Sequence, residues 1–169
     1  MELKRQKNKI NALYIFLVVS TVLSFVPNAS AQILSLALIT LVLIAAYLYR
    51  HREEEDSLLY NHMTYMIGTI WIGTAVMMVG MFLLGFWVYA QGDHTIIHNT
   101  VNNIQNGVMY DEAAMRQVMQ DYLSANQSFL IKASLPTIGP AILYIVYRVA
   151  NGYGRAMKGY RIAKPTSWL

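Results

Sequence analysis

The chain has 169 residues, of which 56% are hydrophobic and only 13% charged, and its formal net charge is +4. About a quarter of the residues in a soluble domain are charged, so this composition excludes an ordinary water-soluble globule. The sequence contains no cysteine. That absence excludes disulfides, thiolate zinc sites, iron–sulfur clusters and a thiol nucleophile.

Long apolar runs with few charges predict membrane-spanning helices. We expect Pro27 to end the first span, because proline cannot continue the helical hydrogen-bond ladder, so the first two spans form a tight hairpin. The sequence therefore predicts an all-α polytopic membrane protein with a single membrane domain over residues 1–169. Its four predicted spans are 10–26, 31–49, 65–89 and 128–147.

The basic residues are distributed unevenly between the two sides of these spans. With the N-terminus inside, 11 of the 13 lysines and arginines lie inside, and only Arg116 and Lys132 lie outside. The positive-inside rule then predicts that both termini are cytoplasmic. The inside cations are Lys4, Arg5, Lys7, Lys9, Arg50, Arg52, Arg148, Arg155, Lys158, Arg161 and Lys164.

The N-terminal segment is also compatible with a secretory signal peptide. Lys4 to Lys9 precede an apolar stretch, and Ala29-Ser30-Ala31 before Gln32 matches a small-residue cleavage site. Cleavage there would leave three spans. The apolar segment is long for a signal peptide and the next span follows at once, so we favour retention of all four.

Small residues in the third span predict close helix packing. Gly73 and Gly80 are seven residues apart on one face, and Thr69 lies one turn before Gly73. We favour packing against the protein's own helices over an oligomer interface.

The fourth span contains two prolines and a lysine. Pro136 and Pro140 remove backbone donors, which predicts a kink, and Lys132 lies just before them. An ionisable residue in a span suggests an ion or substrate path. The favoured alternative is that Lys132 extends its side chain to the outer interface, because it is only about one turn from Ser128.

The interval 91–127 is predicted to lie outside and to form two short amphipathic helices. Ile97, Val101, Ile104 and Val108 give the first helix an apolar stripe, and a second stripe follows Asp111. A single cation, Arg116, argues for protein contact rather than binding to anionic lipid. A self-packed lid is the alternative to this docking surface. The predicted docking residues are Met115, Val118, Met119 and Tyr122.

The basic tail, residues 148–169, has apolar residues at helical spacing beside several cations. This pattern is typical of a segment along an anionic leaflet, with a solvated tail that only enforces topology as the alternative. The predicted lipid contacts are Arg155, Lys158, Arg161 and Lys164.

Motifs for catalysis or cofactor binding are missing from the sequence. His94 and His98 have a spacing that suits a metal, but neither a metalloprotease glutamate nor a third ligand is near them in sequence. There is no G-x-S-x-G elbow and no phosphate-binding glycine loop. We therefore expect no catalytic, cofactor or metal site, and no nucleic-acid partner.

Two segments resemble a known family. The run NHMTYMIGTIWIG, with His62, Tyr65, Thr69, Trp71 and Gly73, and the ending YRVANGYGRAMKGYRIAKPTSWL are similar to small bacterial membrane proteins grouped with the chloroplast inner-envelope translocon component Tic-twenty. The chain departs from that family at two positions, where arginine and phenylalanine are expected. The resemblance implies a four-helix protein of the bacterial inner membrane without known catalysis. The departing residues are Gly68 and Ile70.

Two functional hypotheses follow from these observations. The first is a small non-catalytic subunit or accessory factor of a larger membrane protein complex. The second is a transport or translocation element that uses Lys132 and the fourth span, since irregular backbone at membrane depth commonly lines a cavity.

We predict the topology from the 11-to-2 division of cations. Reporters fused after Tyr49 and after Leu169 should read cytoplasmic, and a reporter placed within residues 99–127 should read external. A cytoplasmic signal from the 99–127 fusion would overturn this topology.

Overall fold

The computed structural model of the protein describes residues 2–26 and 28–168. The described residues form six α-helices and no strand, which confirms the predicted all-α class. The helices are α1 (Glu2–Ser24), α2 (Ala29–Arg52), α3 (Leu58–Gln91), α4 (Thr95–Gln105), α5 (Glu112–Ala125) and α6 (Gln127–Lys158).

Three helices within the described ranges are long and apolar enough to span a membrane, namely α2, α3 and α6. The chain is therefore a multi-pass membrane protein in character. Helix α1 carries the predicted first span but is not among the three, and its first turns contain Lys4, Arg5, Lys7 and Lys9. A fourth span remains a prediction, and Pro27, its predicted terminator, lies outside the described residues.

Helices α3 and α6 extend beyond the predicted spans. Helix α3 begins at Leu58, where the side chain of Ser57 accepts a hydrogen bond from the Tyr60 N–H at 3.0 Å. Helix α6 continues past Tyr147 to Lys158, so the first part of the basic tail is a continuation of the last span. The helical spacing of apolar residues in the tail predicts the extension of α6, whereas the extension of α3 back to Leu58 is not predicted from the sequence.

The chain divides into two compact units, and α3 and α6 contribute to both. Unit 1 consists of Met1–Ala75 and Ile142–Leu169, and unit 2 is Val76–Ala141. The core of unit 1 contains one face of α1, whose buried residues recur at the helical spacing of i, i+3, i+4 and i+7. These residues are Ile10, Leu13, Tyr14 and Leu17.

Two serines join α1 to α2 in unit 1. The hydroxyl of Ser20 donates to the Ser35 carbonyl at 3.0 Å, and the hydroxyl of Ser35 donates to the Ser20 carbonyl at 2.8 Å. Small side chains let the two backbones approach, and both hydroxyls are satisfied without water. At the turn, Asn28 caps α2 by accepting from the Ala31 N–H at 3.2 Å.

In unit 2, a buried asparagine ties the start of α6 to the end of α3. The side-chain oxygen of Asn126 accepts from the Asp93 N–H at 2.7 Å, and its nitrogen donates to the Asp93 carbonyl at 3.0 Å. Hydrogen bonds from the side chain and backbone N–H of Thr95 hold the pKa of the Asp93 carboxyl below its ordinary value.

Gly80 allows α3 and α6 to touch within unit 2. A Cβ at this position would collide with the Thr137 carbonyl group. Gly85, on the same helix, has open space where its Cβ would lie. Gly80 is therefore required by packing, whereas Gly85 is not.

We predict that Gly80→Ala lowers the stability of the purified protein, because backbone atoms must move to admit the methyl group. The expected loss is about 1–3 kcal/mol, or on the order of 5 °C in Tm measured in detergent. The matched control, Gly85→Ala, should leave Tm unchanged or raise it, since alanine favours the helix. Equal Tm values for the two variants would contradict the close contact.

Candidate functional site

The C-terminal segment turns back at the end of α6. Gly159 adopts a φ of +76°, a left-handed conformation that favours glycine. The Gly159 N–H donates to the Ala156 carbonyl at 3.0 Å, and the Tyr160 N–H donates to the Arg155 carbonyl at 2.9 Å. The residues that follow, 160–168, contact the beginning of α3 through the hydrogen bonds described next.

Asn61 pairs with the backbone of this segment. Its side-chain nitrogen donates to the Ile162 carbonyl at 2.9 Å, and its side-chain oxygen accepts from the Ile162 N–H at 2.7 Å. The amide thus satisfies both backbone groups of one residue, as a neighbouring strand would. Asn61 and Ile162 are both buried, so water cannot replace these bonds.

His62 lies one position along and joins the segment to α1. Its Nε2 is 3.0 Å from the Tyr160 carbonyl, which can only accept, so Nε2 carries the proton. In the neutral ring Nδ1 is then an acceptor, and the Tyr14 hydroxyl donates to it at 3.3 Å. The two rings meet edge to face, with their centroids 5.9 Å apart.

Arg148 is the largest fully buried side chain and is only 1% exposed. Its Nε donates to the Thr69 hydroxyl at 3.1 Å, one terminal nitrogen donates to the Ser167 carbonyl at 2.6 Å, and the other donates to the Tyr65 carbonyl at 3.4 Å. The guanidinium also lies 3.7 Å from the centroid of the Tyr65 ring. Among the described residues, its partners are neutral oxygens and an aromatic face rather than a carboxylate.

Tyr65 completes the connection between α3 and α6. Its hydroxyl donates to the Arg148 carbonyl at 3.1 Å, so the two residues each contact the other's side chain and backbone. We refer to Tyr14, Asn61, His62, Tyr65, Thr69 and Arg148 as the polar cluster.

Gly152 makes room for the polar cluster, because a Cβ at this position would collide with the hydroxyl of Tyr14 and with the Tyr65 ring. A Cβ on Gly68 would be in ordinary van der Waals contact, 3.6 Å from Arg148 and 3.9 Å from the Pro165 carbonyl. Gly68 is also where the chain departs from the family signature, and the Arg148 guanidinium lies beside it.

Chemically, the polar cluster is suited to holding chain segments in place. Its donors and acceptors are engaged with one another and with the backbone of residues 160–167, and its members are buried. The cluster therefore anchors the C-terminal segment to α3.

The predicted packing residues of α3 all face α6. A Cβ on Gly73 would lie 2.8 Å from the Ile145 side chain, Gly80 lies against Thr137, and the Thr69 hydroxyl accepts from Arg148. These contacts are made within the chain.

The predicted pathway residues lie in a continuous helix. Pro136 and Pro140 are inside α6, and both are exposed, as is Lys132. Next to Pro136, the hydroxyl of Thr137 donates to the Ala133 carbonyl at 2.8 Å, a bond back to its own helix.

The predicted docking residues of α5 separate into two sets. Val118 and Tyr122 are half-buried, and the Tyr122 ring stacks on His94 at a centroid distance of 6.0 Å. Met115 and Met119 are 44% and 54% exposed. The stripe predicted from sequence thus has an inner edge, Val118 and Tyr122, which packs within unit 2. Its outer edge, Met115 and Met119, is exposed.

The predicted lipid contacts, Arg155, Lys158, Arg161 and Lys164, are all exposed. In the apolar stripe beside them, Val149 and Ala156 are buried in the core of unit 1, whereas Tyr160 is exposed. Any lipid contact by this region therefore depends on the cations and on the exposed faces of α6.

Sequence reasoning missed the roles of Arg148, Asn61 and Tyr14. The sequence analysis identifies Arg148 only as one of the inside cations. One available signal was the spacing of His62, Tyr65 and Thr69, which places three polar residues on one face of α3. The two segments that carry the family resemblance are also the two that the polar cluster joins.

Comparison of the chain with protein-family models, with curated proteins and with solved structures gives no match.

We predict that Asn61→Ala releases the C-terminal segment, because two buried hydrogen bonds to Ile162 are lost at about 1 kcal/mol each. Hydrogen–deuterium exchange should then become at least tenfold faster in peptides that contain residues 160–168. Asn103→Ala, which removes an exposed asparagine, is the control. Unchanged protection of residues 160–168 in the Asn61 variant would show that the pairing does not hold this segment.

Proposed function

We propose that this protein is a small non-catalytic subunit or accessory factor of a larger membrane protein complex. The observation that carries the proposal is an apolar surface on α5, a helix outside the candidate spans. We call Met115, Met119 and Leu123 the methionine face. They recur at intervals of four residues along one side of the helix, and all three are exposed.

The surroundings of the methionine face favour a protein partner over a lipid surface. Helix α5 and its cap carry Asp111, Glu112 and Asp121, and the one cation, Arg116, is paired with Glu112 at 2.5 Å. Anionic lipid would be repelled by this charge. The expected partner surface is apolar at its centre and cationic at its rim.

Methionine is well suited to such a contact. Its unbranched, polarizable side chain adapts to irregular surfaces and is common where a protein binds a partner. Met109, in the connection between α4 and α5, is 96% exposed and adds a further apolar group. Exposed residues of this kind outside a bilayer indicate an interaction site.

The location that we propose is a bacterial inner membrane, with both termini cytoplasmic and α4 and α5 on the external side. The division of cations and the family resemblance support this location. The partner would then contact the protein from the external face.

The transport alternative has less support. It rests on Lys132 and the two prolines of α6, and all three residues are exposed. An exposed lysine near the end of a span is well placed to extend its side chain to the interface.

We predict that Met115→Asp together with Met119→Asp detaches the partner. Two charges at the centre of an apolar contact should cost at least about 2 kcal/mol, or roughly a 30-fold loss of affinity. The measurement is purification of tagged full-length protein from native membranes, with the mass and stoichiometry of the complex determined by native mass spectrometry.

The matched control is Gln120→Asp together with Ser124→Asp, which adds the same charges at the same spacing on another side of α5. This control should retain the complex, and its Tm should equal that of the double methionine variant. Val118 and Tyr122 are unsuitable test sites, because charging them would disrupt packing within unit 2. A wild-type protein that purifies alone, or a complex that survives both aspartates, would contradict the proposal.

A further inference from the structure

Two cavities adjoin at α6 in unit 1. The first, of about 420 Å³, is polar and is lined by Ala150, Asn151, Gly154, Arg155, Lys158 and Tyr160. The second, of about 260 Å³, is an apolar groove between α1 and α6. Ala150 lines both cavities, so the groove and the polar cavity are adjacent at this residue.

The polar cavity has uncompensated positive charge. The Arg155 side chain donates to the Asn151 side-chain oxygen at 3.3 Å and to the Arg161 carbonyl at 3.4 Å, and both acceptors are neutral. In the described part of the chain, the ion pairs are Lys9 with Glu53 and Arg116 with Glu112, so neither Arg155 nor Lys158 is neutralised by a carboxylate. An anion is therefore the ligand that this cavity favours.

Arg155 is also held in place. Its two hydrogen bonds fix the guanidinium at the edge of the cavity, and planar guanidinium groups bind phosphate through paired donors. Gly154 leaves open space beside it, since a Cβ there would meet no atom within 4 Å. Tyr160 also lines the cavity, and its side chain carries a hydroxyl group.

The apolar groove indicates that the ligand of this site has a hydrocarbon part as well as a negative charge. Val18 and Val22 of α1 face Val146, Val149 and Tyr153 of α6 along its length. A smaller groove of about 160 Å³ continues it past Tyr14, and Val18 and Tyr153 line both grooves. A free phosphate ion gains nothing from these walls, whereas a hydrocarbon chain does.

We propose that unit 1 binds one anionic phospholipid, with its phosphate at Arg155 and Lys158 and an acyl chain in the groove between α1 and α6. The chemical feature that this site would recognise is a phosphodiester headgroup with a net negative charge. A zwitterionic lipid would bring its ammonium group close to two cations, so phosphatidylglycerol should bind more tightly than phosphatidylcholine. This proposal concerns unit 1 and is independent of the methionine face.

The proposal is tested with delipidated full-length protein in detergent, titrated with phosphatidylglycerol or phosphatidylcholine and examined by native mass spectrometry. Wild type should bind one phosphatidylglycerol at least tenfold more tightly than phosphatidylcholine. Arg155→Gln with Lys158→Gln should abolish that preference, because each cation contributes about fivefold. Equal binding of the two lipids by wild type would overturn the proposal.

The matched control is Arg161→Gln with Lys164→Gln, which removes the same charge from the same tail without altering the cavity lining. This control should keep most of the preference for phosphatidylglycerol. An equal loss in both double variants would mean that diffuse charge on the tail attracts lipid, and no discrete site exists. Equal Tm values without lipid establish that the variants are folded.

Two further experiments distinguish a lipid ligand from a soluble anion. Ala150→Leu, which narrows the junction of the cavities, should weaken phosphatidylglycerol binding at least fivefold while both cations remain. Inorganic phosphate and glycerol phosphate at millimolar concentration should not displace the lipid. Displacement by either anion would assign the cavity to a soluble anion. Unchanged lipid binding in Ala150→Leu would show that no acyl chain occupies the groove beside the cavity. Either result would overturn the proposal.

Discussion

Arg148 imposes the strictest physical constraint in unit 1, because a guanidinium cannot lose its charge when it is buried. An unsatisfied cation in a low-dielectric interior costs several kcal/mol or more. Three segments together prevent that cost, because Thr69 and Tyr65 on α3 and the Ser167 carbonyl of the C-terminal segment accept its hydrogen bonds. A shift of any one segment leaves donors unpaired, so the constraint holds α3, α6 and residues 160–168 in one arrangement.

The same requirement explains why asparagine recurs where irregular chain meets a helix end. Backbone groups at such places have no helical partner, and lipid supplies none. Asn61 satisfies both backbone groups of Ile162, and Asn126 satisfies both backbone groups of Asp93. An amide side chain has the same donor and acceptor as a peptide group, so one residue completes the pairing. In each unit an asparagine side chain pairs with the backbone of one residue, as a neighbouring β-strand does in a sheet.

Local sequence pattern predicts where the helices are, but it does not predict which residues of other helices they contact. Long apolar runs predicted the helices α2, α3 and α6, and the stripe of Thr69, Gly73 and Gly80 predicted which face of α3 is close-packed. Periodicity shows that a residue lies on an apolar face, but it does not distinguish a core from a bilayer. The tail stripe was therefore interpreted as facing lipid, although Val149 and Ala156 are core residues. The hydrogen bond between Arg148 and Thr69 joins positions 79 residues apart, which no local signal encodes.

Helix α5 shows how tertiary contacts divide a stripe that looks uniform in sequence. Asn126 fixes the corner between α5 and α6 next to Asp93, and this brings Tyr122 to the ring of His94, with its hydroxyl 3.4 Å from Nδ1. Stacking of the two rings orients α5 about its axis, so Val118 and Tyr122 turn inward. Met115 and Met119 are then left outside, because residues on adjoining edges of one helical face cannot all pack against a single neighbour. An interaction surface on α5 therefore consists of the residues that internal packing does not use.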